Sequence, residues 1–337
     1  MISPADRAGP APRAAWQARA FWLRVLVAAA CGALFSAALP ALSLWPLGSA
    51  LVPLFVIVAR VERRWDAFWP GFFFGLAFFV LYIFWLPRSF AELFGPAAWL
   101  IFPPLLGVLA AFWGIVTGAS RALGGRGAGT LWLLPALWLL MEWARTQGSL
   151  AFPWGSLGYL WLGTPLAQVA SLTGLYGLSL LTAVLAALLA APFVVGWRRS
   201  LWPLAAAVLL AGSGLAYGLA WLRSPLPPRT ETALLVQGNT DPLGRTLSLD
   251  QEMDLYASLT RQALAAGTPV DLVVWPEGVV PDNKIAGYQG AAGRQKILSA
   301  AGGATIITGG TAAERGRYYN SAFSLADGRI TDRYDKV

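Results

Sequence analysis

The sequence predicts a multi-span α-helical membrane bundle followed by an α/β domain. Three observations carry this. The chain is 57% hydrophobic and only 12% charged, about half the charged fraction of an ordinary soluble domain, roughly 25%. Seven long apolar runs fill residues 22–222. Beyond them the texture changes to short β-rich runs alternating with helical patterns.

The apolar runs lie at 22–39, 44–60, 68–86, 97–119, 130–146, 166–196 and 201–222. A span needs about 20 mostly apolar residues, and the shorter runs reach that length with their aromatic flanks. Run 22–39 has the look of a secretory leader, but six further runs follow it, so it is expected to remain as a helix. Trp16, Trp22, Trp45, Trp65, Trp69 and Trp85 stand near the expected helix ends, where an interfacial aromatic belt belongs.

Charge placement sets the expected orientation. Residues 1–222 hold 13 Lys and Arg against 5 Asp and Glu, whereas residues 223–337 hold 12 of each. The whole +8 excess therefore sits in the membrane part and does not mark a nucleic-acid binder. Arg7, Arg13, Arg19, Arg24, Arg60, Arg63, Arg64, Arg121, Arg126, Arg198 and Arg199 occupy the N-terminal tail and the loops after even-numbered runs; the alternate side carries only Arg88 and Arg145. This asymmetry predicts a cytoplasmic N-terminus and an extracytoplasmic segment 223–337. The expected domains are a transmembrane part over 1–222, a linker over 223–230 rich in proline, and a soluble part over 231–337.

Several function classes are excluded. With no histidine in the chain, Ser-His-Asp triads and His-ligated metals are ruled out. Neither a metal nor a cofactor is expected. Cys31 is the single cysteine and lies inside the first run, where it reads as a small apolar side chain.

In the soluble part, Thr232–Gln237 is a β-rich run ending at Gly238-Asn239. Residues 248–265 form an amphipathic helical pattern, with Leu249, Met253, Tyr256, Leu259 and Ala263 on one face. Val270–Trp275 is a buried strand that ends on Pro276-Glu277, and a helix is expected over 289–301. Ala304–Thr308 is a third strand closed by Gly309-Gly310, and Asp327-Gly328 joins a hairpin of 318–325 and 329–334. Strand–helix–strand alternation followed by a hairpin predicts a mixed sheet.

Glu277 is the leading catalytic candidate, because α/β sheets place reactive groups just past strand ends. Beside Trp275 and valines its carboxyl is expected to be partly desolvated and raised in pKa toward that of a useful base. The competing reading is a solvent-exposed loop acid. Lys336 taken alone reads as a solvated lysine, and Asn239 as a turn residue. In the membrane part, Glu142 stands three residues before Arg145, a spacing that favours intrahelical pairing. Glu92 is a further acid near a membrane segment. The stretch Phe152–Tyr159 is too rich in Gly and Pro to span. It is expected to lie against lipid or fold back into the bundle mouth, as an interfacial loop anchored by Trp154 and Tyr159 or as a lip that guides lipid.

Taken together, Trp275-Pro276-Glu277, Tyr319-Asn320-Ser321-Ala322 and Tyr334-Asp335-Lys336 resemble the nitrilase superfamily. Pro153-Trp154, Gly158-Tyr159, Gly174–Ser179 and Val236–Asn239 narrow this to a resemblance with the apolipoprotein N-acyltransferases. The resemblance implies an αββα nitrilase-like domain, incomplete at its C-terminus, carried by eight helices at the cytoplasmic (inner) membrane. It implies Glu277 as general base, Lys336 as oxyanion-stabilising lysine, and Trp154, Tyr159 and Asn239 as substrate- or lipid-binding residues. The implied partners are a phospholipid acyl donor, a diacylglyceryl lipoprotein acceptor and the bilayer, with no nucleic acid. The nucleophilic cysteine is expected downstream of Lys336 and is absent from the chain, which is read as an N-terminal fragment, inactive alone. The family often carries a Trp shortly after Gln-Gly-Asn, where this sequence has Asp241–Thr246. Alternative readings are another membrane-anchored nitrilase-type amidase or acyltransferase, and a non-enzymatic lipid- or lipoprotein-binding membrane protein.

Overall fold

The computed structural model describes residues 12–148, 151–225, 228, 231–240, 247–267, 269–280, 285, 290–314 and 317–336. The chain divides into two compact units, Met1–Pro225 and Leu226–Val337. Asp241–Thr246 and part of the linker lie outside the described residues, as do Arg7 and the side chain of Trp16.

The first unit is helical: α1 (Pro12–Ala38), α2 (Leu51–Arg60), α3 (Phe68–Tyr82), α4 (Leu86–Phe94), α5 (Phe102–Gly124), α6 (Ala128–Arg145), α7 (Ala170–Val195) and α8 (Leu201–Arg223). Among the described residues, five helical stretches are long and apolar enough to cross a membrane by length and composition. They are Ala18–Ala38, Arg64–Tyr82, Pro96–Gly124, Pro165–Val195 and Trp197–Arg223. Five of the seven expected runs meet this criterion. The run at 44–60 forms a shorter apolar helical stretch, Trp45–Arg60. The run at 130–146 becomes α6, whose 18 residues include Glu142 and Arg145. Two charged groups at one end lower the apolar content of so short a helix.

Aromatic packing holds the bundle together. Trp113 of α5 stacks on Phe78 of α3 with centroids 4.9 Å apart and tilts against Trp138 of α6 at 5.0 Å. Both tryptophans are fully buried. Each such aromatic pair adds about 0.5–1.5 kcal/mol beyond the area it buries. By contrast, Trp202, Val208 and Leu209 of α8 are exposed, as lipid-facing side chains of a multi-pass membrane protein are.

The arginine-bearing loops gather at one end of this unit. Arg121 donates from Nε to the Val61 carbonyl and from Nη2 to the Glu62 carbonyl, both at 2.9 Å. Gly127 N–H donates to the Ala59 carbonyl at 2.9 Å, and Arg60 donates to the Phe193 carbonyl. At the other end, the stretch after α6 folds inward rather than lying on the surface. Leu157 N–H donates to Glu142 Oε1 at 2.8 Å, and Gly158 N–H donates to Ser179 Oγ at 2.9 Å. Each bond satisfies a backbone donor that lipid cannot satisfy. Glu92 is exposed and bridges to Arg88 at 3.3 Å, four residues earlier on α4, a surface pair of small energetic consequence.

The second unit is a mixed five-stranded sheet in the order β1-β2-β3-β4-β5: β1 (Ala233–Leu235), β2 (Leu272–Val274), β3 (Thr305–Glu314), β4 (Arg317–Ala326) and β5 (Arg329–Asp335). The first three strands are parallel; β4 and β5 join antiparallel. Helices α9 (Leu249–Ala265) and α10 (Ala291–Ala301) accompany the sheet. Helix α9 starts with a capping box, Ser248 and Gln251 each bonding the other's backbone N–H. Met253, Tyr256, Val273, Trp275, Ile297, Ile306 and Phe323 form the core. The hairpin turn places Asp327 and Gly328 at φ 51° and 80°, the mirror-image turn geometry that suits the twist of paired strands.

Strand β3 departs from expectation. It does not stop at Gly309-Gly310 but runs on to Glu314, because β4 continues to pair with it through Gly309↔Ala322 and Thr311↔Asn320. The glycines serve a different purpose. A Cβ on Gly309 would lie 2.5 Å from Glu277 Cα and 2.9 Å from the Gly278 nitrogen. The strand passes directly beneath the loop that carries the acid, and only a residue without a side chain leaves that room.

Candidate active site

Strand β2 delivers Glu277. Trp275, 2% exposed, anchors the strand end: its Nε1 donates to Thr260 Oγ1 at 2.9 Å, and its ring lies 5.8 Å from that of Tyr256. Pro276 then turns the chain outward, and its carbonyl accepts from Gly309 N–H. The hairpin delivers the other two groups. Pairing of β3 with β4 sets Asn320 opposite Thr311, and Lys336 N–H donates to the Asn320 carbonyl at 2.8 Å just past β5.

These elements converge on one carboxylate oxygen. Lys336 Nζ donates to Glu277 Oε1 at 3.2 Å, and Asn320 Nδ2 donates to the same atom. A shallow cleft of about 260 Å³ surrounds them, lined also by Thr308, Ser321 and Tyr334. Beside it, Ser321 Oγ donates to Asp335 Oδ1 at 2.6 Å, and Arg333 grips both Asp335 oxygens at 2.7 Å. This bidentate pair stiffens the strand that positions Lys336.

One expectation is overturned. The Glu277 carboxyl is not raised by desolvation; it is held below the ordinary carboxylate value, first by the Lys336 hydrogen bond and then by that of Asn320. The physical reason is exposure. The side chain is 62% exposed, so burial contributes little and the two donors favour the ionised form. Glu277 is therefore an anion at neutral pH. Since folding lowers this pKa, the stability it contributes is complete above the ordinary carboxylate range and is lost as pH falls through the depressed value. The Glu277 carboxyl signal in NMR is expected to titrate below the ordinary glutamate value, and Lys336→Met is expected to move the midpoint up. A midpoint indifferent to Lys336→Met would show that the pair does not form in solution.

The other sequence candidates are placed separately. Asn239 is exposed, sits at φ 49° as turn residues do, and makes no side-chain hydrogen bond among the described residues. Trp154 belongs to the first unit, edge-on to Trp85 at 5.7 Å and to Phe152 at 5.0 Å. Tyr159 packs against the bundle core. Cys31 is buried in α1 within that core. The expected Glu142–Arg145 pair is not made: no ion pair joins them within 4.0 Å, because Glu142 Oε1 is used by the Leu157 N–H. Among the described residues, no group of three or more acidic or thiol side chains is placed to hold a metal ion. Sequence reasoning had not singled out Asn320 or Gly309. Asn320 was visible within Tyr319-Asn320-Ser321-Ala322, but its contact with Glu277 depends on a strand register.

Residues 31–188 match the family described as the apolipoprotein N-acyltransferase N-terminal domain. Proteins named apolipoprotein N-acyltransferase align over nearly the whole chain. The one from Allorhizobium ampelinum is 33% identical over 94% of this chain and 64% of its own length. The one from Chromobacterium violaceum is 33% identical over 98% of this chain and 65% of its own length. By sequence, the chain is similar to the apolipoprotein N-acyltransferases over most of its length. A third relative, from Geobacter metallireducens, is 32% identical over 93% of this chain and 63% of its own length. The chain thus spans just under two thirds of the length of these acyltransferases. Alignments over 93–98% of this chain extend into both units and take in the Glu277 loop.

Proposed function

We propose that this protein acts in lipoprotein N-acylation at a membrane surface, transferring an acyl chain from a phospholipid to the N-terminal cysteine amine of a diacylglyceryl lipoprotein. The observation that carries the proposal is the meeting of Glu277 and Lys336, 59 residues apart in sequence, on one carboxylate oxygen. Relatives named apolipoprotein N-acyltransferase support the lipoprotein N-acylation part of this reading.

The chemistry suits these groups. The nucleophile is a cysteine, which the resemblance places downstream of Lys336. Glu277 takes the thiol proton, and the thiolate attacks the acyl ester carbonyl. The Lys336 ammonium offsets the negative charge on the carbonyl oxygen. As the tetrahedral adduct collapses, the ester oxygen leaves with the proton from Glu277, giving a lysophospholipid and a thioester. The lipoprotein amine then attacks the thioester, its proton passes to Glu277 and on to the departing thiolate, and an amide results. Asn320 holds the Glu277 carboxylate in place through both halves.

The test is N-acylation by a protein that continues past Val337 with the downstream segment of a relative. Such a chain, supplied to cells depleted of their own enzyme, is expected to restore N-acylated lipoproteins, read by mass spectrometry of their N-terminal peptides. Folded protein at normal level that leaves the amine free would defeat the proposal.

The arginine asymmetry supports an inner-membrane topology with a cytoplasmic N-terminus and residues 223–337 outside. A reporter active only in the cytoplasm, fused after Val337, is expected to stay silent. A strong signal would reverse the assignment.

A further inference from the structure

Arg145 closes helix α6 at the end of the bundle opposite the arginine-bearing loops. Its side chain is 4% exposed, and none of its three guanidinium nitrogens has a hydrogen-bond partner among the described residues. A guanidinium carries five donors and does not deprotonate in proteins. A charge held this way in a membrane unit is costly and marks a functional group. Glu142 lies within electrostatic reach and offsets part of that cost, but it makes no hydrogen bond to the guanidinium: one of its oxygens serves the Leu157 N–H, and the other has no hydrogen-bond partner.

What surrounds the cation points outward. Its carbon Cζ lies 5.5 Å from the Phe79 ring centroid, and the Tyr82 and Tyr176 hydroxyls are within electrostatic reach. Tyr82 has a second role. With Pro40, Leu81, Trp85 and Trp154 it lines a cavity of about 740 Å³ at the ends of α1 and α3. The walls of that cavity are mostly apolar side chains and its rim is the Trp85–Trp154 pair. Tryptophan pairs of this kind mark the headgroup level of a bilayer.

We propose that Arg145 anchors the phosphate of a membrane lipid, whose acyl chain lies in the cavity between α1, α3 and Trp154. Charge complementarity selects this occupant. The anions at headgroup depth are lipid phosphates, and the guanidinium fork matches phosphate oxygens bidentately. Tyr82 is the side chain common to the cavity wall and the surroundings of the cation. This site requires only that the bundle sit in a bilayer; it is independent of Glu277 and of the acyl-transfer reading.

The test uses the full 337-residue chain in non-ionic detergent with native mass spectrometry to count retained lipid. Dioleoylphosphatidylglycerol is expected to be retained, while dioleoylglycerol, with the same chains and no phosphate, is not. Arg145→Gln is expected to weaken retention roughly 10–100-fold, the loss of charge-assisted hydrogen bonds, and Arg145→Lys less. Displacement of the lipid by inorganic phosphate would make this a free-phosphate site and overturn the lipid assignment. Equal retention of dioleoylglycerol would overturn the role of Arg145. Because Arg145→Gln risks unfolding the bundle, Glu142→Gln is measured beside it, with thermal unfolding of each. It leaves the cation in place, so retention is expected to hold or tighten. If Glu142→Gln instead abolishes retention and the double variant regains the parent's stability, the two charges serve only each other and the proposal fails. Lipid retention by this chain, together with no N-acylation by the chain extended past Val337, would count against the acyltransferase reading and leave this site standing.

Discussion

Replacement of Glu277 by glutamine is expected to lower N-acylation about 10²–10⁴-fold in a chain that continues with the downstream segment of a relative, the usual cost of losing a general base. Glutamine keeps the shape of the side chain and still accepts the Lys336 and Asn320 hydrogen bonds through its carbonyl oxygen. It cannot take a proton from a thiol or an amine. Both halves of the reaction should slow, so neither the thioester nor the amide should accumulate, while the amount of folded protein stays near that of the parent. Glu277 is exposed and outside the core, so its removal leaves no cavity. An unchanged rate of adduct formation from labelled phospholipid would return Glu277 to the status of a loop acid. Asn320→Ala is the natural comparison. It frees the carboxylate on one side, and its smaller effect measures how much positioning contributes apart from proton transfer.

The second large effect is expected from a residue with no reactive group. Gly309→Val places side-chain atoms where β3 passes beneath the Glu277 loop. Even the Cβ falls 2.5 Å from Glu277 Cα, 2.9 Å from the Gly278 nitrogen and 3.0 Å from the Pro276 carbonyl oxygen. All three neighbours are backbone, so no side-chain rotation relieves the clash. Overpacking of this kind costs typically about 1–3 kcal/mol, and a displacement of about 1 Å at a catalytic group lowers rate roughly 10²-fold. Thermal unfolding should therefore show a modest loss of stability and the acylation assay a large loss of rate. Full activity in folded Gly309→Val protein would mean that the loop above β3 moves freely, and that Glu277 is not held where the structure places it.

Together the two variants separate chemistry from placement. Glu277→Gln removes a proton acceptor and leaves the loop alone. Gly309→Val keeps the acceptor and moves it. A base that acts only when correctly placed must be sensitive to both.

What was legible in the chain follows the range of the forces involved. Hydropathy acts over a single helix, so the seven apolar runs read directly as helices α1 to α3 and α5 to α8; the short α4 lies almost wholly outside them. Positive charges accumulate in loops on one side, and the pattern of Arg60–Arg64, Arg121–Arg126 and Arg198–Arg199 was visible without coordinates. The structure shows those loops meeting at one end through Arg60 and Arg121. Turn chemistry is equally local, and Asp327-Gly328 announced its hairpin. The strand end before Glu277 was marked by the passage from buried valines to Trp275-Pro276. Two of the seven runs fall short of the length and composition of a full span for a local reason. The helix Trp45–Arg60 is short, and α6 ends in Glu142 and Arg145.

Long-range placement was not legible. Lys336 looked like an ordinary solvated lysine until the β4–β5 register set it against Asn320 and within 3.2 Å of Glu277. The carboxyl was expected to rise in pKa beside Trp275, yet Trp275 turns into the core while Glu277 turns out to meet two donors. Gly309-Gly310 looked like a strand terminus, and became a strand interior once β4 supplied a partner. Glu142 and Arg145 had the spacing of a helical pair, but the N–H of Leu157 came within 2.8 Å and claimed one carboxylate oxygen. In each case the deciding contact joins residues from different elements. Spacing along a chain lists the partners within one turn or one strand; which of them is used depends on what the rest of the fold brings near.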